Sequence, residues 1–164
     1  GDSAIDAGAE IGHMVIEVDG PQCTCGRKGC FEVFSSATGL IRMTKEAMAE
    51  TPDFIMHKMA EEDGKVSARL AFNAMRAGDS AAKAVVDKYI KYLAAGITNT
   101  INIFQPDIVC VGGGIGNEKE NLLTPVRKLV VAERYSIHAK KQSQILSAVL
   151  GNDAGIIGAA LLDE

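Results

Sequence analysis

Gln105-Pro106-Asp107-Ile108-Val109-Cys110-Val111-Gly112-Gly113-Gly114-Ile115-Gly116 holds the transition on which the fold class turns. Ile108 to Val111 is a short, β-branched apolar run of the kind found in strands buried within a parallel sheet, and it opens directly into three glycines. Upstream, Val86, Ile90, Leu93, Ile97, Ile101 and Phe104 recur at steps of four and three, the apolar stripe of a helix laid against a sheet. Asp79 or Ser80 can cap that helix. Gln105-Pro106-Asp107 ends it, since proline restricts the residue before it and donates no helical hydrogen bond. Downstream, Asn117 or Glu118 begins a helix reaching about Glu133, residues 143–150 supply a strand, and Gly151-Asn152-Asp153 turns into a last helix over about 154–162. Helix and strand in this alternation predict an α/β fold.

Nearer the amino terminus, His13-Met14-Val15-Ile16-Glu17-Val18 alternates and is rich in β-branched residues, so it reads as a strand closed by Asp19-Gly20-Pro21. A cysteine-rich loop follows. From about Ser36 to Glu50, Leu40, Thr44 and Ala47 share a helical face beside Ile41 and Met48, with Ser35 or Ser36 placed to cap it. Residues 51–65 read as a loose insertion around a short packed helix carrying Phe54, Ile55, Met56 and Met59. Another helix spans about 67–77 and is stopped by Gly78.

At 164 residues the chain has the length of one domain. With 47% hydrophobic and 23% charged residues and a mean hydropathy of +0.09, it has neither the composition of a disordered segment nor that of a membrane protein. The net charge is −4, and the basic pairs Arg27-Lys28, Arg127-Lys128 and Lys140-Lys141 are scattered, so no nucleic-acid contact by this chain is expected. The opening Gly1-Asp2-Ser3-Ala4-Ile5-Asp6-Ala7-Gly8 has no secretory n-region or h-region and reads as a cut through something longer, which points to the cytoplasm.

Three of the four cysteines fall within eight residues, in the pattern His13-x9-Cys23-x-Cys25-x4-Cys30. Three thiolates and an imidazole are the donor set of a tetrahedral zinc, and because they fill all four positions the metal would be structural. Gly26 and Gly29 allow the sharp turn between the cysteines. The competing reading is that the cysteines are small buried residues or redox thiols. Glu10 and Glu32 flank the ligand set; they are either partners for sugar hydroxyls or solvated surface charge. Gly112, Gly113 and Gly114 at a strand's carboxyl end suit the approach of a nucleotide to the backbone, although a tight turn without ligand fits the same residues. The run meets neither the P-loop nor the full dinucleotide fingerprint.

Ala9-Glu10-Ile11-Gly12-His13 and Cys23-Thr24-Cys25-Gly26-Arg27-Lys28-Gly29-Cys30-Phe31-Glu32 resemble the zinc and sugar signature of the ROK (repressor, ORF, kinase) family. The resemblance continues through Ser36-Ala37-Thr38-Gly39, Asn102-Ile103-Phe104-Gln105-Pro106, Gly112-Gly113-Gly114 and Gly151-Asn152-Asp153-Ala154-Gly155-Ile156-Ile157-Gly158-Ala159-Ala160, nearly the whole chain. Within the family the text looks most like the bacterial glucokinases.

This resemblance implies an actin-like, ribonuclease-H-like ATPase fold whose two lobes close over a hexose and ATP with Mg. It implies that residues 1–164 are the carboxyl-terminal lobe, that His13, Cys23, Cys25 and Cys30 hold zinc, that Glu10, His13 and Glu32 face the hexose, glucose in the glucokinases, and that Gly112 to Gly114 lie by the adenosine. It also implies a homodimer. In this family the other lobe contributes an Asp-x-Gly-Gly-Thr loop, its own Asn-Asp pair bearing the catalytic base, and a Gly-Thr-Gly loop; none of these is found here. No catalytic residue is therefore assigned in this chain, and the isolated lobe is expected to be inactive. The alternative within the family is the sugar-sensing lobe of a transcriptional repressor, whose DNA contacts would come from a separate helix-turn-helix.

Overall fold

The computed structural model describes residues 10–51 and 55–149. Its organising element is the 25-residue helix that the apolar stripe predicted. The Asp79 carboxylate accepts the Ala82 N–H at 2.9 Å and starts it, and Gln105, with φ +45°, turns the chain out at its end. In chain order the helices are α1 (Phe31–Ser35), α2 (Ala37–Glu50), α3 (Ile55–Glu62), α4 (Leu70–Arg76), α5 (Ser80–Phe104) and α6 (Glu120–Glu133). The strands are β1 (Ile108–Val111) and β2 (Gln144–Ser147), and single 3-10 turns span Ile11–His13 and Gly114–Glu118.

Val86, Ile90, Leu93, Ile97 and Ile101 are buried along α5, each worth about 1.5–3 kcal/mol in apolar burial. Phe104, expected on the same stripe, is 62% exposed; it closes the last turn, beyond the reach of the helices that cover the stripe. Those covering elements are largely helical: α1, α2, α4 and α6 pack on α5, where a sheet was expected. Leu122, Leu123, Val126 and Val130 bring α6 into the same core, together with Ile145 of β2.

β1 and β2 are parallel, pairing Ile108 with Gln144 through Val111 with Ser147. The predicted strand positions hold, but the burial does not: Ile108 and Cys110 are exposed, and among the described residues β1 pairs with β2 alone. One face of this pair meets the core and the other meets solvent.

Two further expectations are corrected. Residues 13–18 do not form a strand. The His13 N–H bonds back to the Glu10 carbonyl in a 3-10 turn, and the Ile16 and Glu17 N–H groups converge on the single carbonyl of Gly29. The only pairing left is an isolated bridge between Val15 and Cys30. The cysteine loop also runs directly into α1. Downstream of β1, the 3-10 turn delays the expected helix to Glu120.

The predicted cap at Ser36 is present, its hydroxyl accepting the Gly39 N–H at 3.0 Å. In 51–65 the short helix is α3, anchored by the buried Met56, whose N–H donates to the second oxygen of Asp79 at 3.0 Å. Phe54 and the helix expected over 154–162 lie outside the described residues. No helix among the described residues is long and apolar enough to cross a membrane.

Candidate functional site

The four predicted ligands meet. His13 arrives on its 3-10 turn, Cys23 and Cys25 on a tight loop and Cys30 at the start of α1, and their donor atoms all lie within 4.8 Å of one another. Cys23 Sγ is 3.6 Å from His13 Nδ1, and Cys25 Sγ is 3.6 Å from Cys30 Sγ. A tetrahedral zinc with Zn–S bonds of about 2.3 Å requires ligand edges of about 3.8 Å. The donor set and its spacing therefore fit a single such ion.

Backbone geometry makes the loop possible. Gly26 has φ +90° and Gly29 φ +68°, values that L side chains adopt only at a cost of about 1–2 kcal/mol. The Cys23 N–H donates to the Arg27 carbonyl at 2.8 Å, and the Arg27 guanidinium reaches the His13 carbonyl at 3.2 Å. Arg27 thus clamps both halves of the site, a role that its place in the sequence, as one of several basic residues, did not disclose.

The thiols are electrostatically unequal. The backbone N–H of Arg27 beside Cys25 lowers its thiol below the usual range, assisted by hydrogen bonding to Cys23 and Cys30 and by the Arg27 charge. Burial pushes Cys30 up to about 11, with Cys25 and Cys23 adding to the rise. A divalent cation would offset that burial by favouring all three thiolates.

Glu32, on α1, places Oε2 3.6 Å from His13 Nδ1 and 3.8 Å from Cys23 Sγ. Its side chain remains 46% exposed, able to serve a ligand from solvent. Glu10 is also exposed, and its backbone carbonyl accepts the His13 N–H. Glu32 lines a cleft of about 190 Å³ together with Gln22, Thr24, Val33, Thr38 and Arg42, a mixed polar and apolar surface beside Cys23.

The site is fastened to α5. The Phe31 ring covers Gly96, Phe34 stacks on Tyr92 with centroids 4.0 Å apart, and Tyr89 donates to the Ser35 carbonyl at 2.7 Å. Tyr92 also donates to the Glu17 carboxylate. These anchors escaped the sequence reading because Tyr89, Tyr92 and Gly96 fall beside the aliphatic stripe. The doublet Phe31 and Phe34, three apart, was the available signal.

Gly112, Gly113 and Gly114 are exposed at the carboxyl end of β1, some distance along the chain from the cysteines. Gly113 has φ +77° and ψ −175°, a region essentially restricted to glycine. The backbone is therefore bare and sharply turned at the strand end where α/β folds receive ligands.

A zinc-type donor set beside a carboxylate, on a mixed helix and strand fold with an exposed glycine turn, defines the class: the chain belongs to the ROK family, whose model matches residues 6–164. It is 37% identical over 153 residues to the glucokinase of Thermotoga maritima, covering 93% of this chain and 48% of that enzyme. It is 28% identical over 151 residues to the xylose repressor of Bacillus subtilis, covering 91% of this chain and 35% of the repressor. Its structure superposes on that of a ROK family glucokinase from Streptomyces griseus in complex with glucose and AMPPNP, with a TM-score of 0.82 and 30% identity, covering 94% of this chain and 51% of the other. The chain spans about half the length of the glucokinases it matches.

Proposed function

We propose that this chain is the carboxyl-terminal, sugar- and zinc-binding lobe of an ATP-dependent hexokinase of the glucokinase type, which transfers the γ-phosphoryl group of ATP to glucose in the cytoplasm. The observation that carries the reading is the convergence of His13, Cys23, Cys25 and Cys30 next to Glu32. Zinc in that set would lock the loop and fix the imidazole. With Nδ1 committed to the ligand set, the His13 proton resides on Nε2, which makes it a donor to a sugar hydroxyl while Glu32 and Glu10 accept. Gly112, Gly113 and Gly114 would receive the nucleotide, with Mg accompanying ATP in the full-length protein.

The reacting groups would be positioned by two such lobes closing, and phosphoryl transfer depends on that positioning. A coupled assay on the full-length protein should show glucose-dependent ADP release, and the 164-residue chain alone should show none. Glucose-independent ADP release, or none, from the full-length protein overturns the kinase reading. The match to a xylose repressor favours a second reading, a sugar-sensing lobe joined to a DNA-binding arm. Operator DNA binding relieved by a sugar, without ADP release, would establish it. The homodimer expected of this lobe is tested by light scattering of the full-length protein at micromolar concentration; a monomer would count against it.

A further inference from the structure

We propose that Arg76 is a positioning residue for the triple-glycine loop, holding that loop through an ion pair with Glu118; this rests on the nucleotide role proposed above for Gly112 to Gly114. Arg76 is the last residue of α4, a helix rooted in the core by Leu70, Ala71, Phe72 and Ala74. Its Nη1 donates to Glu118 Oε2 at 2.7 Å while Nη2 donates to Asn73 Oδ1 at 2.5 Å. The fork is therefore held on its own helix and aimed at the turn that ends the glycine loop.

Glu118 closes the 3-10 turn that starts at Gly114, and its side chain is only 9% exposed. Three glycines carry no side chains with which to hold themselves, so the loop's course depends on where its ends are fastened. At its base, Ile115 is buried, and the turn closes through the Gly116 N–H to the Gly113 carbonyl and the Lys119 N–H to the Gly116 carbonyl, each at 3.0 Å. Arg76 supplies the lateral fastening from a different element. A nearly buried carboxylate stripped of its guanidinium would turn out toward water, and the turn carrying it would follow. The consequence is selective, because the side-chain partners of the Arg76 guanidinium are Asn73 and Glu118, neither of them in the cysteine loop: nucleotide binding should depend on Arg76 and sugar binding should not.

The test is calorimetric titration of the full-length protein with AMPPNP and Mg, and separately with glucose. Arg76→Gln should weaken AMPPNP binding by about fivefold to tenfold, in line with loss of a partly buried, hydrogen-bonded ion pair, and leave the glucose affinity unchanged. Arg76→Lys should recover part of the loss, and the exchanged pair Arg76→Glu with Glu118→Arg should recover more than either single variant. Unchanged AMPPNP affinity in Arg76→Gln, or equal weakening of AMPPNP and glucose, overturns the positioning role. Failure of the unmodified protein to bind AMPPNP overturns the nucleotide role of the loop itself, and the proposal with it.

Discussion

Gly29 lies so close to Glu17 that a Cβ added to Gly29 would stand 1.6 Å from the Glu17 carbonyl oxygen. The obstructing atom is backbone on the opposite side of the cysteine loop, so no rotamer change relieves it. Gly26, on the same loop, has nothing within 4 Å of an added Cβ. Gly26→Ala should therefore cost only the backbone strain, about 1–2 kcal/mol, and leave metal uptake intact. Gly29→Ala should cost several times more and abolish it. Metal content and urea denaturation of the two variants, side by side, check the contrast.

The second prediction concerns the contact between α1 and α5. A Cβ on Gly96 would come within 2.1 Å of the Phe31 ring, and Phe31 directly follows Cys30 of the candidate metal site. Gly96→Ala should destabilise by about 1–3 kcal/mol through overpacking, and Phe31→Ala by about 3–5 kcal/mol through the cavity it leaves. Combining them should cost less than the sum, since truncating Phe31 removes the ring that the added methyl group would strike and the methyl group fills part of the cavity. Additive losses in a denaturation cycle would contradict the contact.

Asp79 joins two helices, accepting from Ala82 at the start of α5 and from Met56 in α3. Buried with both oxygens engaged, it should cost about 3 kcal/mol on conversion to alanine. Asp79→Asn keeps one acceptor and should lose roughly half as much. An Asp79→Asn variant as stable in urea as the unmodified protein would show that the link to α3 carries no energy.

Tyr92 gives a pH dependence. Its hydrogen bond to Glu17, then burial, then the Glu17 charge hold the phenol up to about 12, against about 10 for an unfolded tyrosine. A group raised on folding stabilises the fold fully below its unfolded value and loses that contribution as pH rises through its folded value. The Tyr92 contribution should thus be intact below about pH 10 and fade toward pH 12. In Glu17→Gln the phenol should ionise at lower pH, read as phenolate absorbance against Tyr92→Phe. An unmoved titration would rule out the hydrogen bond as its cause.

The main helix was legible because its determinants are local: Asp79 caps it, Val86 to Ile101 mark its face, and Pro106 follows its end. The convergence of His13, Cys23, Cys25 and Cys30 was legible because cysteine spacing reports donor chemistry whatever the backbone between those residues does. Residues 13–18 misled for the opposite reason. Their alternation is strand-like, but the Gly29 carbonyl collects two of their N–H groups, an interaction set by close packing across the loop. Likewise Ile108 reads as buried by composition, whereas its exposure depends on which neighbours lie beside β1. Glu118 and Arg76, 42 positions apart, leave no local pattern at all.

Metal analysis of the purified chain, prepared without added chelator, tests the central claim most directly. The account predicts one zinc per chain, retained through gel filtration, lost in Cys25→Ser, and accompanied by a fall in thermal stability when chelated, because binding energy at such a site is also folding energy. A chain that carries no zinc, takes up none when it is supplied, and melts unchanged after chelation would contradict it.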